Sequence, residues 1–157
     1  MNIDRLEALL EKLLSLHKSL LHLAQQKTEC LKEENETMLS KLMSEEQSHI
    51  KAITKLEEAR QREVLLIWGE PLTLGEIIEK LPLPQRAKYE VLKEELSTCL
   101  LALKERNELN QQLLYHSLQV VNMTLDMFGN QPKNLNYHSS QKERPSAPSR
   151  SMFDSKA

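Results

Sequence analysis

The sequence predicts an all-α fold, an elongated antiparallel bundle of three long helices plus one short helix, with a disordered C-terminal tail. Three observations predict it. Leu, Glu, Lys and Gln dominate the chain, and all are good helix formers. Three glycines and 4% aromatic residues are too few for a sheet protein with many turns. Apolar residues recur at steps of three and four over long stretches.

The first helix is expected over residues 3–31. Asn2 is a candidate cap, and Asp4 and Glu7 suit the positive end of the helix. Ile3, Leu6, Leu10, Leu13, His17, Leu20 and Ala24 form its stripe, and Leu9, Leu14, Leu16, Leu21 and Leu23 widen it. So wide a face needs more than one neighbour. The polar run 32–36 breaks the pattern, with Asn35 placed to cap a second helix over 36–68. Leu39, Leu42, Met43, Ile50, Ile53, Leu56, Val64 and Ile67 should line its inner face. Glu46, Glu57, Glu58, Arg60 and Arg62 should mark the wet side, and Gly69 should stop the helix.

A short helix is expected over 73–81. Thr73 and Glu76 have the spacing of a capping box, Leu72 and Ile77 stand at staple positions, and Pro82 ends the element. The last helix is expected over 84–128, with Pro84 in its first turn. Leu92, Leu96, Cys99, Leu103, Arg106, Asn110, Leu113, Ser117, Val120, Thr124 and Met127 step in fours and threes. At 1.5 Å per residue this helix would be about 65 Å long, against about 43 Å and 50 Å for the first two. It is therefore expected to overhang its partners. A helical domain over 1–128 and a flexible tail over 129–157 follow. The tail is Pro- and Ser-rich and cannot bury a core. Within it, Phe153 either docks as part of Ser151-Met152-Phe153-Asp154 or is incidental.

Charge excludes some function classes. The formal net charge is −2 with 28% charged residues, too balanced for a dedicated nucleic-acid binder. In the tail, Lys133, Lys142, Arg144, Arg150 and Lys156 outweigh Glu143 and Asp154, so it is about +3 and the body about −5. An acidic body with a basic tail permits attraction without identifying a partner. No signal-peptide pattern opens the sequence, and no apolar run approaches the ~18 residues of a membrane span. The expectation is a soluble, cytosolic protein without stable membrane insertion.

Catalytic and metal constellations are not found. His17, His22, His49, His116 and His138 lack an i,i+4 His partner or a Cys pair. Cys30 and Cys99 lie apart in helical patterns and read as buried free thiols. The paired glutamates at 33–34, 45–46, 57–58 and 94–95 read as solvated faces. No Gly-rich phosphate loop or nucleophile elbow is present. No cofactor is expected, and the protein is read as a non-enzyme.

Two features of the last helix remain. Arg106, Asn107 and Asn110 stand where its stripe should be apolar. They either form a polar layer that sets helix register or mark a place where the stripe leaves the core. Residues 113–128 are apolar nearly all round. They either pack in the core or offer a surface to amphipathic helices of a partner. Met123 and Met127 suit an adaptable surface. The candidate binding residues are Leu113, Leu114, Leu118, Val121, Leu125 and Phe128.

Four segments in order carry a resemblance. They are Leu6-Glu7-Ala8-Leu9-Leu10, Leu56-Glu57-Glu58-Ala59-Arg60-Gln61, Leu72-Thr73-Leu74-Gly75-Glu76-Ile77-Ile78, and the run from Glu105-Arg106-Asn107-Glu108 through Leu109-Asn110-Gln111-Gln112-Leu113-Leu114. Over roughly residues 1–130 the chain resembles the FlgN family of flagellar export chaperones. The resemblance implies a cytosolic chaperone that binds hook–filament junction proteins through its C-terminal region. It would prevent their premature assembly and deliver them to the type III export gate, meeting the membrane-embedded apparatus transiently. It also implies that Tyr137, in Asn134-Leu135-Asn136-Tyr137, matches a family tyrosine implicated in docking at the gate. A homodimer without client is a further expected partnership. The competing expectation is a structural coiled-coil protein that only self-associates, since the unbroken seam of the last helix suits one.

Overall fold

The computed structural model describes residues 2–127. Four helices fill most of them: α1 (Asn2–Glu33), α2 (Glu36–Trp68), α3 (Leu74–Lys80) and α4 (Leu83–Met127). No strand occurs among the described residues. The bounds differ from the expected ones by at most two residues at an end. Asn2, expected ahead of the first helix as its cap, belongs to α1 itself. The expected tail over 129–157, with Phe153, lies outside the described residues.

Local chemistry explains where the helices stop and start. Glu34 adopts φ 57° at the end of α1. The Asn35 N–H then donates to Cys30 O at 3.0 Å, using a carbonyl that the helix end leaves open. The Asn35 side chain accepts from the Met38 N–H at 3.1 Å and caps α2. Gly69, at φ 79°, closes α2 by donating its N–H to Leu65 O at 2.8 Å. The capping box of α3 is present. Thr73 Oγ1 accepts from the Glu76 N–H at 3.3 Å, and Glu76 Oε2 accepts from the Thr73 N–H at 2.7 Å. Arg86 secures the other end of α3, donating to Leu81 O and Glu79 O at 2.8 Å each.

The described residues fall into two units that divide after Leu114, residues 2–114 and residues 115–127. In the first, α1 and α2 run antiparallel. Arg5 pairs with Glu63 at 3.3 Å near one end. Lys27 pairs with Glu46 at 3.2 Å near the other. Between them His49 donates from Nδ1 to Glu45 O and accepts from the Ser19 hydroxyl at Nε2, both at 2.8 Å. Within the same unit α4 runs parallel to α1. Tyr89 donates to Ile3 O at 2.8 Å, Lys88 meets Glu7 at 2.7 Å and Glu11 at 3.2 Å, and Lys18 reaches Glu95 at 3.1 Å. Both long neighbours of α1 therefore find apolar cover on its wide stripe.

Two clusters hold this unit together. Around α3, Leu6, Leu10, Leu14, Val64, Ile77, Ile78, Leu81, Tyr89 and Leu92 are buried against one another. Toward the other end of α1, Leu20, Leu23, Ala24, Cys30, Leu42 and Leu103 form a second cluster. Each fully covered Leu, Ile or Val contributes about 1.5–3 kcal/mol before ordering costs. Cys30 and Cys99 are buried free thiols. Burial, the larger influence, pushes the Cys99 thiol up, and Lys18 opposes it.

The inner face of α2 departs from expectation. Every side chain from residue 43 to 62 is half-buried or exposed. Met43 and Ile50, expected inside, are 49% and 42% exposed. Glu46 and Arg60, expected on the wet side, retain 16% and 17% side-chain exposure in their ion pairs. Glu63 is buried beside Arg5. Periodicity finds a helix face but not whether a neighbour closes over it.

Candidate functional site

Three places in the chain carry more than scaffolding. The first is the polar layer where the α4 stripe changes character. Asn110 and Thr28 are both buried. The Thr28 hydroxyl donates to Asn110 Oδ1 at 2.6 Å and lies 3.1 Å from Ala24 O. Asn110 Nδ2 donates to Ala24 O at 2.9 Å, and Arg106 Nη1 donates to Thr28 Oγ1 at 3.4 Å. Asn107 is exposed. Both readings of this interruption hold: the polar layer is formed, and Asn110 is the last buried residue of α4. Buried polar groups keep their stabilising role only when satisfied, and these are.

The second place is the helical part of the second unit, residues 115–127. Asp126 is its one Asp, Glu, Lys or Arg side chain. Tyr115 is 61% exposed, Leu118 53%, Val120 62%, Val121 50%, Met123 67% and Met127 84%. Leu118, Val121 and Leu125 stand three and four residues apart and share a helix face, with Leu125 half-buried. Local bonds support the helix. Thr124 donates to Val120 O at 2.9 Å and Gln119 to the Tyr115 hydroxyl at 3.2 Å. The Tyr115 and His116 rings meet edge to face with centroids 6.3 Å apart. So much exposed apolar surface on nearly uncharged helix is uncommon unless it binds something. It can cover another apolar helix face.

The expected binding residues are thus divided between the units. Leu113, half-buried, and Leu114, 48% exposed, are the last two residues of the first. Leu118, Val121 and Leu125 belong to the second. Phe128 and Tyr137 lie outside the described residues. Ser117, Val120, Thr124 and Met127, expected to continue the seam of the last helix, are exposed.

The third place, a groove in the first unit, had no signal in the sequence. It encloses about 630 Å³. Leu10 and Leu13 of α1 line it with Ile53 of α2 and Leu96 and Leu100 of α4, and residues 73–75 stand at the start of α3. Glu57 and Arg60 border it and engage each other through two hydrogen bonds of 2.7 and 2.8 Å. The Arg60 hydrogen bond is the main reason Glu57 titrates below the ordinary carboxylate range, against the opposing effect of burial. His17 places Nδ1 2.8 Å from Leu13 O.

Among the described residues no group of three or more His, Cys, Asp or Glu side chains could hold a metal ion. No described helix is long and apolar enough to cross a membrane.

A family model described as FlgN protein matches residues 1–145. Uncharacterized protein YvyG of Bacillus subtilis (strain 168) is 37% identical over 151 residues, covering 94% of each chain. No solved structure matches the chain.

Proposed function

The chain belongs to the FlgN family of flagellar export chaperones, and from that premise we propose that its clients are the hook–filament junction proteins. In this reading the chain works in the cytosol. It covers the amphipathic terminal helices of a client, prevents premature assembly, and carries the client to the export gate. Tyr137 is the residue proposed to meet the gate.

The observation that carries the reading is the exposure of Leu118 and Val121 on a helix face that includes Leu125. A client helix laying its apolar stripe on that face would remove both partners from water. Each side chain fully covered contributes about 1.5–3 kcal/mol, less the costs of association and side-chain ordering. A few such contacts give capture that is firm and still reversible. The step involves no bond making, so the chaperone itself needs neither cofactor nor nucleotide.

Titration of purified junction proteins into the full chain, followed by calorimetry and light scattering, tests this. The expected result is a saturable complex of defined stoichiometry. A chain that forms only copies of itself, with or without junction protein, would favour the self-associating coiled-coil reading.

A further inference from the structure

Residues 115–127 carry two apolar stripes. At about 100° of rotation per residue, Leu118, Val121 and Leu125 form one stripe. Ser117, Val120, Thr124 and Met127 form another, roughly 110° round the helix from the first. Tyr115, Gln119, Asn122 and Asp126 step in fours and threes along the remaining side. That side holds the Gln119–Tyr115 hydrogen bond and the one carboxylate of the segment. Together the two stripes span about half the helix circumference, against the roughly 100° that turns toward a single neighbour.

The stripe through Val120 has the chemistry of a buried seam. It keeps the step of Leu92, Cys99, Leu103 and Asn110, all buried in the first unit. Thr124 donates its hydroxyl to Val120 O at 2.9 Å, as the buried Thr28 hydroxyl lies 3.1 Å from Ala24 O. Thr124 can therefore be covered without leaving a polar group unpaired. No charged side chain interrupts either stripe. In the first unit, α1 has an apolar face of comparable width, and α2 and α4 share it.

We infer that residues 115–127 seat two amphipathic helices of one client side by side, one on Leu118, Val121 and Leu125 and the other on Val120, Thr124 and Met127. The inference rests on the reading that this segment receives client helices, and it deepens that reading by assigning a face to each of two. The occupants carry uncharged stripes, because a charge within either stripe would be desolvated with no countercharge on the seat. Two helices linked in one polypeptide make the second seating intramolecular, so two modest contacts give firm capture.

The test titrates a blocked amphipathic peptide of about 18 residues, with one leucine stripe, into the full chain. Calorimetry and native mass count the peptides bound. Leu118→Asp/Val121→Asp and Val120→Asp/Met127→Asp should each bind one peptide fewer than the unaltered chain, and the fourfold variant two fewer. A hairpin of two such helices should bind at least about 100-fold tighter than the single peptide, and either pair of substitutions should remove that gain. All four side chains are half exposed or more, and circular dichroism checks that helix content is kept. A fourfold variant that loses fewer than two peptides, or a single pair that loses both, overturns the inference. So does a mass that doubles without peptide and returns to that of one chain with Val120→Asp/Met127→Asp, because a second copy then occupies that stripe. Intact junction protein is measured in parallel. Failure of the unaltered chain to capture it counts against the proposed function, whereas capture untouched by Val120→Asp/Met127→Asp leaves that function standing and overturns the second seat.

Discussion

Thr28 and Asn110 stand 82 positions apart in the chain and form a 2.6 Å hydrogen bond with both residues buried. The bond ties α1 to α4 at one register, because a shift of α4 by one turn would take Asn110 away from both of its partners on α1. The two residues do not depend on each other equally. Thr28 has a second acceptor in Ala24 O at 3.1 Å. Asn110 Oδ1 has the Thr28 hydroxyl.

Thr28→Val is therefore expected to cost about 1–3 kcal/mol, the penalty of an orphaned buried acceptor. Asn110→Leu should cost less, since the Thr28 hydroxyl can turn to Ala24 O. The double variant should be more stable than Thr28→Val alone, with a coupling of about 1 kcal/mol. Urea unfolding of the four proteins measures the cycle. Strict additivity would remove the polar layer as an energetic unit.

Glu34 is the described non-glycine residue with positive φ, at 57°. The left-handed conformation is unfavourable for a side-chain-bearing residue, and glycine adopts it without that penalty. Glu34→Gly is expected to stabilise the fold by about 1 kcal/mol, the relief of strain outweighing the entropy that glycine adds to the unfolded chain. Thermal unfolding would show a higher midpoint. A lower midpoint would mean that Glu34 contributes something other than the turn.

Acid should weaken the fold in a defined direction. Glu57 titrates below its ordinary range through its hydrogen bond to Arg60, and Glu76 does so through the Thr73 backbone and side chain. A carboxylate with a depressed folded-state pKa stabilises the protein above its unfolded pKa. That stabilisation is lost as pH falls through the folded value. The midpoint of thermal unfolding is thus expected to fall as pH drops from about 5 toward 3, and Glu57→Gln and Glu76→Gln should each flatten the fall. Identical pH profiles for the variants and the unaltered chain would assign the acid response to other groups.

Local signals were readable in the sequence wherever the physics is local. Thr73 with Glu76, Asn35 as a cap and Gly69 as a stop act over three or four residues, and all are found as expected. The family was readable too, because segment order survives where single helical motifs are generic. Tyr89 extends the buried face of α4, since 89, 92, 96 and 99 keep its step. Its stripe position carries a polar hydroxyl, which finds Ile3 O on another helix. Asn107 and Asn110 could not be told apart, because the partner that draws Asn110 inward is on α1. The groove was invisible for a related reason. The α2 pattern around Ile53 and Arg60 announces an inner face, but only the arrangement of α1, α3 and α4 shows that the face is left partly open.

We propose the exposed apolar helix of residues 115–127 as the principal client seat. Its most direct measurement is the affinity of the full-length Leu118→Asp/Val121→Asp variant for purified hook–filament junction proteins, with circular dichroism as the check on folding. Both side chains are half exposed, so helix content should be unchanged. Affinity is expected to fall at least about 100-fold, because two apolar contacts are replaced by desolvated charge. A folded variant that holds its client as firmly as the unaltered chain would contradict it.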